Sequence, residues 1–154
     1  MSARSRQLPR RSCLSIPGSS EKMMGKGPNI PADMVFLDLE DAVAPKEKEA
    51  SRARIVSAIR GNDWGDKVLC VRVNDWSTKW TAYDIMEVVG GAGERLDEIM
   101  LPKVENAAQI VATDLLLRQV EIASGLPIGH IGIEAQIETA RGLINVEEIC
   151  AASP

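Results

Sequence analysis

Three carboxylates, Asp38, Glu40 and Asp41, fall within four positions directly after the apolar run Met34-Val35-Phe36-Leu37. A strand that ends this way delivers negative charge to the mouth of a site. Apolar residues on both faces suit a parallel strand covered on both sides, and α/β folds place their chemistry at strand C-termini. A second run, Ile131-Gly132-Ile133-Glu134-Ala135-Gln136-Ile137-Glu138, puts Ile131, Ile133, Ala135 and Ile137 on one face and Glu134, Gln136 and Glu138 on the other. Between these runs Val68, Cys70, Arg72 and Asn74 share a face, so Arg72 is expected to point inward with Asn74 at the rim. An inward arginine needs a carboxylate. Glu40 or Glu138 could pair with it structurally, or it could clamp a substrate carboxylate or stabilise a developing oxyanion. Glu138 has two readings of its own: a polar residue on a half-exposed strand, or a ligand to a hard cation such as Mg²⁺, which inward carboxylates without Cys or His partners suit.

The elements that must hold these groups alternate along the chain. Strands are expected over 13–17, 34–39, 68–74, 98–104 and 130–138, and helices over 20–26, 45–60, 81–89 and 107–124. Pro45 suits a first helical turn, Glu47 and Glu49 suit its positive end, and Gly61 is expected as the stop. Gly90-Gly91-Ala92-Gly93 and Gly125-Leu126-Pro127 read as loops closing the next two helices. Repeated βα units allow an open doubly wound sheet or a closed (β/α)8 barrel. No Gly-x-Gly-x-x-Gly turn follows the first strand, and Pro17-Gly18-Ser19-Ser20 lacks a P-loop ending. Polar groups instead recur at several strand ends: Asp38 to Asp41, then Arg72 and Asn74, then Lys103, then Glu138. That is the habit of a barrel. The expected fold is α/β, the N-terminal part (about five βα units) of a (β/α)8 TIM-type barrel.

Composition is ordinary for a globular domain: 154 residues, 45% hydrophobic and 26% charged. The net charge of −4 is uneven, because Arg4, Arg6, Arg10 and Arg11 meet no acid before Glu21. A solvated basic N-terminal arm over 1–10 is expected, followed by the barrel domain over 11–154. The acidic remainder argues against nucleic acid as a partner. No apolar run approaches the roughly 18–20 residues of a membrane span and no signal-peptide core is present, so a cytoplasmic protein without membrane contact is expected. Cys13, Cys70 and Cys150 are widely spaced and read as small core residues, and the lone His130 reads as structural.

Five stretches together resemble one family: Arg11-Ser12-Cys13-Leu14-Ser15-Ile16-Pro17-Gly18-Ser19, Leu37-Asp38-Leu39-Glu40-Asp41-Ala42-Val43-Ala44-Pro45, Val71-Arg72-Val73-Asn74, Leu101-Pro102-Lys103-Val104 and Ile137-Glu138-Thr139-Ala140. In order and approximate spacing they are similar to the HpcH/HpaI aldolase and citrate lyase β-subunit superfamily, in particular its malyl-CoA and citramalyl-CoA lyases. The resemblance implies a (β/α)8 barrel, dependence on Mg²⁺ with Mn²⁺ as a substitute, and homo-oligomers built as trimers or hexamers. It implies that Glu138 ligates the metal, that Arg72 binds the substrate or enolate oxygen, and that Glu40 and Asp41 orient metal-bound water or Arg72. Gly18, Ser19 and Lys26 would help to hold coenzyme A. Ser15 and Ser20 depart from the aromatic residue and arginine that some malyl-CoA lyases carry near this loop.

The implied chemistry is cleavage of a 3-hydroxyacyl-CoA, malyl-CoA or citramalyl-CoA, to acetyl-CoA and a small keto acid, glyoxylate or pyruvate. The alternatives are a citryl-CoA lyase of the citrate lyase β-subunit type, or an inactive half-barrel that serves only as an interaction fragment. A (β/α)8 barrel typically takes about 250 residues. The chain therefore reads as the front of such an enzyme, without the family's second metal-binding aspartate and C-terminal lid, ending with no closing helix and inactive alone.

Overall fold

The computed structural model describes residues 8–152. Arg4 and Arg6 of the basic arm lie outside the described residues. Five strands, β1 (Cys13–Pro17), β2 (Met34–Asp38), β3 (Val68–Arg72), β4 (Glu98–Leu101) and β5 (Gly132–Ala135), form one sheet in sequential order, every pair parallel. Helices α1 (Glu21–Met24), α2 (Lys48–Gly61), α3 (Thr81–Ala92) and α4 (Ala107–Ala123) form the crossovers, and α5 (Ala140–Ile144) and α6 (Val146–Cys150) follow β5. Short 3₁₀ turns occupy Gly27–Asn29 and Pro45–Glu47. Sequential parallel order with a helix after each strand is the first part of a (β/α)8 barrel, as the strand ends predict. Among the described residues no helix is long and apolar enough to cross a membrane.

Period two divides the sheet into two faces. Val35, Leu37, Leu69, Val71, Ile99 and Leu101 are fully buried and pack with Ile55 and Ile59 of α2 and Ile85, Val88 and Val89 of α3. Each such side chain contributes roughly 1.5–3 kcal/mol by leaving water. The opposite, inner face carries Met34, Val68, Cys70 and Met100, with Phe36 and Leu8 against them. Leu8 and Arg10 therefore seat the end of the arm on the inner face, where Arg10 Nη2 donates to Glu98 Oε2 at 2.8 Å. Burial of α/β strands on one face by helices and on the other by inner side chains explains their continuous apolar runs.

Several boundaries depart from the sequence pattern. The strands stop two or three residues short of 74, 104 and 138, and Asn74 is buried beyond β3 instead of standing at the rim. Of the cysteines only Cys70 is core; Cys13 and Cys150 are exposed. Gly61 is the last residue of α2, with Asn62 as the cap. The chain also has helices after β5, α5 and α6, which five-residue lengths hide from any periodicity; Thr139 caps α5 by accepting from Gly142 N at 3.0 Å.

The Gly90-Gly91-Ala92 stretch is not a loop but the last turn of α3. Its glycine serves packing: a Cβ on Gly91 would stand 2.8 and 2.9 Å from the two methyls of Val56 on α2. Valine is stiff at χ1, so it yields poorly. Gly91→Ala should lower the stability of this chain by about 1–2 kcal/mol, overpacking outweighing the gain of up to ~1 kcal/mol in helix propensity. A urea midpoint equal to or above that of the parent would show that α2 and α3 separate freely.

Candidate functional site

Arg72 closes β3 directly opposite Asp38, its register partner on β2. Two parallel bonds join them, Nε to Oδ1 at 2.9 Å and Nη2 to Oδ2 at 2.7 Å. Asp38 is fully buried and also accepts from the backbone N–H groups of Glu40 at 2.8 Å and Ala42 at 3.0 Å. Burial pushes its carboxyl up, but the Arg72 guanidinium and the two N–H donors outweigh this and hold it below the ordinary aspartate value. The same bond to Asp38 raises Arg72, so the guanidinium stays charged and its plane is fixed. Arg72 thus points inward as expected, but its anchor is Asp38, not Glu138. Its remaining nitrogen, Nη1, lies 3.3 Å from Glu40 Oε2 and donates to Gln136 Oε1 at 3.5 Å.

Glu40 is only 4% exposed, yet among the described residues its Oε2 has no hydrogen-bond partner. Its other oxygen accepts from Lys103 Nζ at 2.5 Å. The bond to Glu40 raises the Lys103 ammonium. Asp41 turns to solvent, 3.9 Å from the same ammonium. Lys103 also donates its backbone N–H to Glu138 Oε1 at 2.8 Å, and no described residue bonds Glu138 Oε2. Glu40, Arg72, Lys103 and Glu138 are therefore joined by direct contacts, whereas Asp41 stands at the margin.

The loops carrying these groups are tied down from beneath. Lys48 of α2 donates to Leu39 O and Glu40 O at 2.8 Å each and to Asn74 Oδ1 at 2.7 Å. All three ammonium donors are used, while burial lowers the group despite the pull of Asp84. Asn74 donates to Asp84 Oδ2 at 2.6 Å, and Arg52 Nε donates to Asp84 Oδ1 at 2.7 Å. The sequence pattern does not disclose this network, because its members lie on three elements at unrelated spacings.

Gly18 occupies the turn after β1, where its N–H donates to Asp38 O at 2.9 Å. A Cβ there would meet Ile55 Cδ1 at 2.6 Å and Asp38 O at 2.8 Å, so close approach of this turn to β2 and α2 accounts for the glycine. Ser19 is half-buried and Lys26 exposed after α1, on the same βα connection.

A separate group lies deeper on the inner face, where ligand atoms of Cys70, Glu98 and Glu134 are within 4.8 Å of one another. Burial and then Glu98 push the Glu134 carboxyl up, and burial pushes the Cys70 thiol well up. A protonated soft donor matches a hard cation poorly. Glu138 Oε2, to which no described residue bonds, and the buried Glu40 Oε2, which faces Arg72 but takes no hydrogen bond from a described residue, match one better, as a ligand and as an acceptor for bound water.

Helices outside, a sequential parallel sheet and charged groups converging at strand C-termini define a protein of the (β/α)-barrel class. The chain belongs to the HpcH/HpaI aldolase/citrate lyase family, whose model matches residues 11–154. It is 44% identical over 146 residues to an L-malyl-CoA/beta-methylmalyl-CoA lyase of Cereibacter sphaeroides, covering 95% of this chain and 46% of that protein. It is 35% identical to the citrate lyase subunit beta of Leuconostoc mesenteroides subsp. cremoris, covering 94% of this chain and 47% of that one. The chain spans about half the length of the curated relatives it matches. The protein CitE of Mycobacterium tuberculosis, solved with magnesium and acetate, superposes with a TM-score of 0.69 at 31% identity over 94% of this chain and 52% of its own. A malate synthase of Haloferax volcanii gives a TM-score of 0.82 at 19% identity over 95% of this chain and 46% of its own, a likeness of fold.

Proposed function

We propose that these residues form the first half of the active site of a carbon–carbon lyase acting on a 3-hydroxyacyl-CoA, malyl-CoA before citramalyl-CoA, to give acetyl-CoA and glyoxylate or pyruvate. The observation that carries this reading is the Asp38-locked Arg72 guanidinium, with one nitrogen left toward a rim that holds Glu40 and Glu138, in a chain similar to malyl-CoA lyases. Glu138 would hold Mg²⁺, or Mn²⁺ in its place, in keeping with the magnesium in the M. tuberculosis relative. When bound, the cation would polarise the hydroxyl and carboxylate oxygens of the substrate.

As the carbon–carbon bond breaks, the substrate hydroxyl gives up its proton and becomes the keto acid carbonyl, the electron pair of the bond passes to the thioester oxygen bound by Arg72, and a proton then returns to the enolate carbon to give acetyl-CoA. Charge develops on the thioester oxygen, so a guanidinium already fixed in plane stabilises the transition state without reorganising. Glu40 holds the free edge of that guanidinium, and its Oε2 accepts a hydrogen bond from a water or the substrate hydroxyl. Gly18, Ser19 and Lys26 would line the coenzyme A path, the exposed Lys26 ammonium facing phosphate groups. The basic arm over 1–10 and the barrel portion over 11–154 are the proposed domain division, and a homo-oligomer, trimer or hexamer, is the proposed assembly of the whole enzyme.

The reading is tested in a lyase that completes the barrel around these residues. With Mg²⁺ it should release glyoxylate from malyl-CoA; release of keto acid from citryl-CoA alone would favour the citrate lyase type instead. Glu138→Gln keeps the volume and removes the anionic ligand, so Mg²⁺ affinity should fall about 100-fold or more with the fold retained. Unchanged Mg²⁺ dependence would end the ligand role. These 154 residues alone, with five of about eight barrel strands, should show no turnover. Turnover near that of a complete relative would overturn the need for further groups.

A further inference from the structure

Lys103 stands in an unusual backbone state for its type. Its φ is +52°, in the left-handed region, and among the described residues every other positive φ belongs to glycine. The surrounding hydrogen bonds explain why. Gln136 N donates to Leu101 O at 2.9 Å, and Gln136 O accepts from Val104 N at 3.3 Å. A regular parallel ladder would take the second bond from residue 103, so one extra residue is bulged out of the ladder. The bulge frees the Lys103 N–H, which turns to Glu138 Oε1 at 2.8 Å, and aims its side chain at Glu40 Oε1 at 2.5 Å. Bulges beside active sites commonly re-aim a side chain in this way, and strain persists where surrounding structure imposes it.

We propose that Lys103 is a positioning residue: its bulged N–H fixes Glu138 and its ammonium fixes Glu40, keeping the metal carboxylate and the carboxylate facing Arg72 apart. This rests on the reading of Glu138 as the metal ligand. Without the ammonium, Glu40 loses its one hydrogen bond among the described residues and keeps only the Arg72 Nη1 approach at 3.3 Å to Oε2; its Oε1 then stands beside Asp41, and the pair becomes a second anionic locus for a cation.

The test uses the full chain with Mn²⁺ as a paramagnetic probe and amide spectra as the readout, independent of any turnover. In the parent, broadening should centre on residues 103 and 137–140. In Lys103→Met broadening at residues 40–42 should rise to match that at 137–140, and Lys103→Arg, which restores a cation, should return the parent pattern. Lys103→Gly, at ease at positive φ with its N–H kept, should retain broadening at 137–140 and show the same rise at 40–42. The same map in Lys103→Met as in the parent would overturn the positioning role, as expected of an inconsequential surface ion pair. A parent with no broadening at 137–140 would instead overturn the ligand reading of Glu138, and the inference with it.

Discussion

Arg72→Lys should cost a completed lyase about 100- to 1000-fold in kcat, the loss associated with one preorganised oxyanion donor. The charge survives the substitution but the geometry does not. Asp38 takes Nε and Nη2 together, which leaves Nη1 directed elsewhere on the same rigid plane. An ammonium is a single point of charge; drawn to the two oxygens of Asp38, it has no second arm for the substrate. Because the missing contact is made chiefly as charge develops, KM for the CoA ester should change much less than kcat. The parallel measurement is kcat and KM for malyl-CoA at saturating Mg²⁺. A lysine variant with normal turnover would reduce Arg72 to a structural partner of Asp38.

The barrel was legible in the chain because buried parallel strands are nearly all apolar and end in charge. The 13–17 strand matches β1, and 34–39 exceeds β2 by a single residue. Where reading failed, a glycine or a polar residue served tertiary packing. Gly90 and Gly91 look like punctuation until Val56 is placed against the second of them. The ends of β3, β4 and β5 look longer in sequence than in the sheet, because 73–74, 102–104 and 136–138 keep strand-like composition while feeding loops.

The site was legible by face more than by partner. Alternation correctly puts Arg72 and Glu134 inward and Ile133 and Ala135 against the helices. Glu40 does face Arg72, at 3.3 Å as expected, but finding the bidentate anchor required cross-strand register: Asp38 is level with Arg72 on the neighbouring strand. Counting from the first residues of the two strands, Met34 opposite Val68, would have found that pair. The chain marks Lys103 as a polar strand end but not as bulged, since the bulge exists only by virtue of Gln136 on the next strand. Lys48 is silent, an ordinary surface lysine by position in its helix until the loops after β2 and β3 close over it.

Asp38→Ala should destabilise this chain by about 3 kcal/mol, the lower end of the cost of removing one partner of a buried ion pair, because Glu40 still faces the guanidinium. Both groups are largely out of water, with side-chain exposures of 0% for Asp38 and 11% for Arg72. Removing the carboxylate takes both parallel bonds from the guanidinium, leaving it the 3.3 Å approach to Glu40 Oε2 and the 3.5 Å bond to Gln136, and also deprives the N–H groups of Glu40 and Ala42 of their acceptor. The double variant Asp38→Ala with Arg72→Met should recover part of the loss, because no charge is then left unpaired. Acid gives an independent check. The folded carboxyl is held below its unfolded value of about 3.9, so its stabilisation is complete above that pH and disappears as pH falls through the lower folded value. Parent stability should therefore drop more steeply than that of Asp38→Ala below about pH 4, and the two curves should converge. Urea unfolding from pH 7 down to pH 2 measures both effects. Parallel curves with a constant small gap would mean that Asp38 fills space beside Arg72 without locking it.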